Sequence, residues 1–114
     1  METTIFDKII AGEMKADIVY EDDYVVAFRD ISPQAPTHAL VVPRTRMKSI
    51  AESVNHDAAV LGRLMQGIAK TAQSLGLEEK GYRVVFNTGA DALQTVPYIH
   101  AHILGGRKMG WPPG

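Results

Sequence analysis

Five short runs of β-branched and aromatic residues, one long run with helical apolar spacing, and connections mostly too short for parallel crossovers predict an α+β domain built on an antiparallel sheet. A chain of 114 residues can bury one modest core but not two, so residues 1–114 are expected to form a single domain. There is no internal repeat, and no Gly-, Ser- or Pro-rich linker divides the chain.

Between Thr4 and Ile10 the apolar residues Ile5, Phe6, Ile9 and Ile10 fall at helical spacing, and Gly12 closes the run, which predicts a short first helix with one face to bury. Ile18 to Tyr20 and Tyr24 to Phe28 flank the acidic turn Glu21-Asp22-Asp23 and read as a β-hairpin. Pro33 and Pro36 end the second arm, because neither can donate to a ladder, and a loop follows. His38 to Val42 is a third strand stopped by Pro43. From Asp57 onward, Leu61, Leu64, Met65, Ile68, Ala69, Ala72 and Leu75 keep helical spacing, with Asn55 as a candidate cap and Gly76 just past the end. Gly62 and Gly67 inside this helix each cost roughly 1 kcal/mol relative to alanine, which points to close packing against another backbone. Tyr82 to Asn87 and Tyr98 to Leu104 complete five strands and two helices.

Composition narrows the function. The formal net charge of −1 provides no electrostatic footprint for a nucleic-acid polymer or an anionic membrane surface. The absence of cysteine removes disulfides and thiol chemistry and leaves imidazoles, carboxylates and hydroxyls to do any chemical work. No apolar run approaches the ~20 residues of a membrane span, and the first residues lack the pattern of a signal peptide, so a cytoplasmic location is expected.

The segment Val96 to Arg107, VPYIHAHILGGR, carries the chemistry. Strand periodicity turns Ile99, Ala101 and Ile103 to one face and Tyr98, His100 and His102 to the other. The two imidazoles, together with His38 at the start of another strand, leave three readings open. They are histidines of the sheet surface or core, ligands of a metal such as zinc, or groups acting at phosphorus. For the last, Gly105, Gly106 and Arg107 follow directly, and Asn87, Thr88, Gly89 and Thr95 offer amide and hydroxyl donors to an anionic ligand.

The chain resembles the histidine-triad (HIT) family, Hint branch, whose motif is His-φ-His-φ-His-φ-φ with φ apolar; here Tyr98-Ile99-His100-Ala101-His102-Ile103-Leu104 corresponds to it. The resemblance extends to TIFDKI near the start, FRDISPQAPTHALVVP, GYRVVFN and the ending LGGRKMGWPPG, and so covers nearly the whole chain. It implies a five-stranded antiparallel sheet with two helices, and a homodimer in which two sheets join into one. It further implies hydrolysis of purine nucleoside monophosphates bearing a phosphoramidate or related leaving group, without a metal or other cofactor. By the same resemblance His100 attacks the α-phosphorus and forms a nucleotidyl-histidine intermediate. His102 holds the phosphate and the departing group, His38 supports the imidazole network, and Asn87 and Thr95 donate hydrogen bonds at the reacting end. Asp30 accepts from the ribose hydroxyls, while Ile5, Phe6, Ile9, Phe28, Ile31, Leu40 and Val96 form the nucleotide slot. Trp111 is delivered toward the partner subunit's site, where it packs on a leaving group.

Two residues depart from the family pattern. Tyr98 stands in place of the first triad histidine, and Leu93 stands where glycine is usual beside the phosphate. The family orients its nucleophile through the backbone carbonyl of the first triad position, which a tyrosine presents equally well. A leucine, by contrast, could crowd the loop or take up a backbone conformation that only glycine adopts freely. These departures keep an alternative open, a nucleotide-binding or protein-interaction module of the same fold with impaired catalysis. A zinc-binding protein ranks below both.

Overall fold

The structure, a computed structural model, describes residues 2–114. Its elements run α1 (Ile5–Ile10), β1 (Ile18–Glu21), β2 (Val25–Arg29), β3 (Thr37–Pro43), α2 (Ala58–Ser74), β4 (Arg83–Phe86) and β5 (Ala101–Gly105). The strands form one sheet in the order β1-β2-β3-β5-β4, with every neighbouring pair antiparallel. The expected α+β class, five strands and two α-helices are therefore all present.

Three local details differ from expectation. A 3-10 helix at Ile50–Asn55 precedes α2, so Asn55 closes that turn instead of capping α2. The cap is Asp57, whose carboxylate accepts from the Ala59 N–H at 2.8 Å; two residues nearer the first helical turn, it reaches donors that Asn55 does not. The last ladder begins at Ala101, so Tyr98, Ile99 and His100 lead into it. Ile99 there donates its N–H to the Met47 carbonyl at 2.8 Å, a bond outside the sheet.

The sheet separates two apolar layers. On one face α2 lays Leu64, Ile68 and Ala72 over Val25, Ala27, Val41, Ala101 and Ile103. A Cβ at Gly67 would stand 2.6 Å from a Val25 methyl, so this glycine admits a β-branched side chain of β2, not a backbone as expected. Gly62 has nothing within 4 Å of such a Cβ, and the expected close packing is absent there. On the opposite face α1 inserts Phe6 among Val26, Phe28, Leu40, Val42 and Tyr98. A capping box holds the start of α1, with Thr4 and Asp7 satisfying each other's backbone donors. Six residues are too few for a helix to persist by itself, so α1 depends on this packing for its position. Among the described residues, no helix is long and apolar enough to cross a membrane.

Candidate active site

The alternation along residues 98–104 is as the sequence implies: Ile99, Ala101 and Ile103 join the α2 core, and Tyr98 joins the opposite layer. Antiparallel pairing of β3 with β5 sets Leu40 against His102 and His38 against Leu104, which makes His38 and His102 diagonal neighbours on one face. His38 Nε2 lies 2.9 Å from His102 Nδ1. The rings of His100 and His102 stand 5.0 Å apart, centre to centre.

Backbone groups at the two ends of this cluster determine where its protons sit. The Gln34 N–H donates to His38 Nδ1 at 3.0 Å, so in a neutral ring the His38 proton is on Nε2. That N–H donates to His102 Nδ1, which leaves the His102 proton on Nε2. Separately, His100 Nδ1 lies 2.7 Å from the Tyr98 carbonyl oxygen, an acceptor only, so Nδ1 carries the proton and Nε2 keeps a free lone pair. The cluster therefore presents one bare imidazole nitrogen, on His100, and one N–H donor, on His102.

Burial keeps the rings neutral. Desolvation pushes His102 down to about 4, with the neighbouring His100 and His38 adding to the effect. His100 and His38 are likewise lowered by desolvation; the Tyr98 carbonyl and Asp30 oppose this at His100, and Asp30 opposes it at His38. The Phe6 ring meets His100 edge-on, with centroids 4.9 Å apart, and closes one side of that imidazole in hydrocarbon.

Tyr98 is buried, and its hydroxyl donates to the Pro43 carbonyl at 2.5 Å. Burial raises its phenol to about 12, so it stays protonated. The side chain thus braces β3 while the backbone carbonyl of the same residue aims His100, two separate tasks at one position.

Leu93 has φ of +64°, the left-handed conformation anticipated for a position where glycine is usual, and its side chain is 77% exposed. Gln94 secures this loop: its side chain accepts from the Gly89 N–H at 3.0 Å and donates to the carbonyls of Lys48 and Val96. Thr95 follows, exposed. Asn87 is half-buried just beyond β4, and the β4–β5 register extended by one residue brings it opposite His100.

Beside the histidines lies a cavity of about 460 Å³ whose lining includes Ile5, Phe6, Ile9, Phe28, Asp30, Ile31 and Leu40. Its size and apolar walls suit a small planar ligand. Six of the seven apolar residues expected in the nucleotide slot line it; Val96 instead packs, half-buried, against the core layer around Phe6. Asp30 Oδ1 accepts from the Ser32 N–H at 2.8 Å, whereas Oδ2 is 3.5 Å from His38 Nε2 and retains accepting capacity. Asp30, His38 and His102 also bring potential metal-ligand atoms within 4.8 Å of one another. In that trio the facing nitrogens of the two rings already share a proton at 2.9 Å, so an ion would have to displace it before both nitrogens had lone pairs to offer.

Gly105 ends β5, and Gly106 and Arg107 follow it out of the strand. A Cβ at Gly105 would meet a Leu77 methyl at 2.8 Å, which would have to shift, and one at Gly106, where φ is +87°, would meet the Pro36 ring at 2.8 Å, so glycine is needed at the second position. The Arg107 guanidinium faces the Gln34 carbonyl at 3.4 Å. Trp111 is 83% exposed, with the Arg83 guanidinium 5.9 Å from its ring, and takes no part in the site of its own chain.

Sequence reading missed Met47 and Arg46, which follow β3: Met47 is fully buried, and its carbonyl holds the chain just before His100. The isolated apolar residue in RTRMKS was the only signal available for it.

The chain is 50% identical over 110 residues to the purine nucleoside phosphoramidase of Escherichia coli K12, covering 96% of this chain and 92% of that one. It is 45% identical to adenylylsulfatase HINT1 of Arabidopsis thaliana, over 97% of this chain and 76% of that one. A solved HIT family hydrolase from Legionella pneumophila superposes with a TM-score of 0.92 at 46% identity, covering 98% of this chain and all of the other. The HIT domain pattern matches residues 11–109. With that match spanning most of its length, this chain is a member of the HIT domain family.

Proposed function

We propose that the protein hydrolyses purine nucleoside phosphoramidates and related nucleotide conjugates at the α-phosphorus, through a nucleotidyl intermediate on His100. The observation that carries this reading is the 2.7 Å contact of His100 Nδ1 with the Tyr98 carbonyl, which leaves a neutral, partly desolvated nitrogen as nucleophile beside an apolar cavity. In the first step His100 Nε2 forms a bond to phosphorus, the bond from phosphorus to the leaving nitrogen breaks, and solvent protonates the departing amine. The imidazolium so formed keeps its Nδ1–H on the Tyr98 carbonyl. The His102 Nε2–H donates to a non-bridging phosphate oxygen, where negative charge builds. In the second step water attacks phosphorus, the electron pair of the P–N bond returns to His100, and the water's surplus proton goes to solvent. The similarity to both a phosphoramidase and an adenylylsulfatase supports a site that tolerates different leaving groups on one nucleotide half.

For binding, the base occupies the apolar cavity lined by Ile5, Phe6, Ile9, Phe28, Ile31 and Leu40, and the ribose hydroxyls donate to Asp30. Asn87 and Thr95 donate at the reacting end. A homodimer joined along β4 fits the topology, since β4 is an edge of the sheet and offers an unpaired row of backbone groups. In that dimer Trp111, exposed in the single chain, approaches the partner subunit's leaving group.

The test is incubation with an adenosine phosphoramidate, with and without a chelator, following AMP release. AMP formed at the same rate in both supports the reading. AMP binding without release favours the module with impaired catalysis, and activity lost with the chelator points to a metal. Sedimentation at micromolar concentration tests the dimer, and a monomer of full activity removes Trp111 from its role.

A further inference from the structure

The wall of the cavity nearest the nucleophile is α1, too short to hold itself in place. Besides the packing of Phe6, a guanidinium ties it to the rest of the fold. The Asp7 carboxylate accepts from the Thr4 backbone N–H at 2.7 Å and the Thr4 hydroxyl at 2.9 Å, as a capping residue does. It also accepts from Arg46 Nε at 3.0 Å and Arg46 Nη2 at 3.2 Å, a forked pair spanning 39 positions of the chain. Both partners are about three-quarters buried, with side-chain exposures of 27% and 24%. Arg46 further donates to the Glu2 carbonyl, and its guanidinium stands 5.7 Å from the centre of the Tyr98 ring. Hydrogen bonding from Arg46 holds the Asp7 carboxyl down to about 2, so the pair persists throughout the working pH range.

These contacts meet at the nucleophile from two sides. Tyr98 aims His100 by its carbonyl, and Phe6, one residue before Asp7, packs its ring on His100 at 4.9 Å. We propose that Arg46 is a positioning residue: by gripping Asp7 while lying on Tyr98, it sets the distance between the α1 wall and the strand that presents His100, and so the width of the base slot. Arg46 touches neither base nor phosphorus in this arrangement. It acts through Phe6 and its neighbours Ile5 and Ile9, all of which line the cavity. A guanidinium suits the task because its planar fork fixes the orientation of the carboxylate as well as its distance. The inference rests on the nucleotide reading of the cavity for its kinetic part only.

Three variants test it. Arg46→Met keeps the stem and loses the fork, Arg46→Lys keeps a charge without the fork, and Asp7→Asn preserves an acceptor for the Thr4 N–H but removes the ion pair. At a temperature well below each unfolding midpoint, Arg46→Met and Asp7→Asn are expected to raise KM for an adenosine phosphoramidate about tenfold while kcat falls no more than threefold. Arg46→Lys should recover part of the loss. The His100 ring protons, lying in the ring current of Phe6, should shift in the NMR spectra of Arg46→Met and Asp7→Asn, with those of His38 much less affected. Lower thermal stability with unchanged KM and unchanged His100 signals would reduce the pair to a plain structural tie and overturn the proposal. If Arg46→Met does not fold, Arg46→Lys and Asp7→Asn are judged by the same two readouts. Failure of the wild-type protein to bind AMP would sink the nucleotide reading instead, and the Phe6–His100 signal, which needs no ligand, would still decide whether Arg46 places the wall.

Discussion

Replacing Tyr98 with phenylalanine separates the two tasks at that position. The change deletes one hydroxyl from a side chain that is 1% exposed and breaks its 2.5 Å bond to the Pro43 carbonyl, while the Tyr98 backbone carbonyl that orients His100 is untouched. Losing the bond costs about 0.5–1.5 kcal/mol, and an acceptor left without this donor in the core can add more, so a total of about 1–2 kcal/mol is expected. With an unfolding entropy of ~2.1 cal/mol/K per residue, a chain of 114 residues loses about 4 °C in Tm per kcal/mol, which predicts a fall of roughly 4–8 °C. Turnover should stay within about threefold of wild type, because neither the tautomer nor the direction of the His100 ring depends on the phenol. Calorimetry measures the first quantity, and AMP release from an adenosine phosphoramidate, assayed well below both midpoints, measures the second. A hundredfold loss of kcat in a variant that still unfolds cooperatively near the wild-type temperature would place the phenol in the chemistry and refute the division of labour.

His100→Ala removes the nitrogen proposed to attack phosphorus and leaves Asp30 and the apolar walls in place, so kcat should drop by at least three orders of magnitude while the Kd for AMP from titration calorimetry changes only a few-fold. Because folding lowers the pKa of His102 from 6.5 to about 4, its contribution to stability is complete above pH 6.5 and is lost as the pH falls toward 4. Tm followed from pH 7.5 to 4.5 should therefore decline, and a His102→Gln variant should decline less steeply. Leu93→Gly relieves a left-handed leucine worth about 1–2 kcal/mol, opposed by about 0.5–1 kcal/mol of added freedom in the unfolded chain, so denaturant titration should find stability between that of wild type and about 1.5 kcal/mol above it. Leu93→Val, β-branched at the same φ, should be clearly less stable than either, and equal stability of all three would remove strain from the account of this loop.

What the sequence by itself determined is whatever backbone geometry repeats locally. The alternation of a strand was enough to send Ile99, Ala101 and Ile103 to one side and Tyr98, His100 and His102 to the other, and the spacing of Leu61, Leu64 and Ile68 was enough to make a helix that covers one face. The resemblance of one segment to a triad motif nominated His100 as the nucleophile, and the apolar residues it nominated do line one cavity, with Val96 as the exception. Only the tertiary structure decided how distant parts meet. His38 and His102 are 64 residues apart, and nothing local to either indicates the register that shares a proton between them or the Gln34 amide that settles its position. Glycine permits many close approaches, and the sequence does not say that Leu77 and Pro36 are what approach Gly105 and Gly106. Asp7 and Arg46 were unremarkable charges on a helix and in a loop until folding paired them beside Tyr98. Periodicity is a property of a few consecutive dihedral angles, whereas register, proton position and ion pairing belong to contacts that exist only once the whole sheet has assembled.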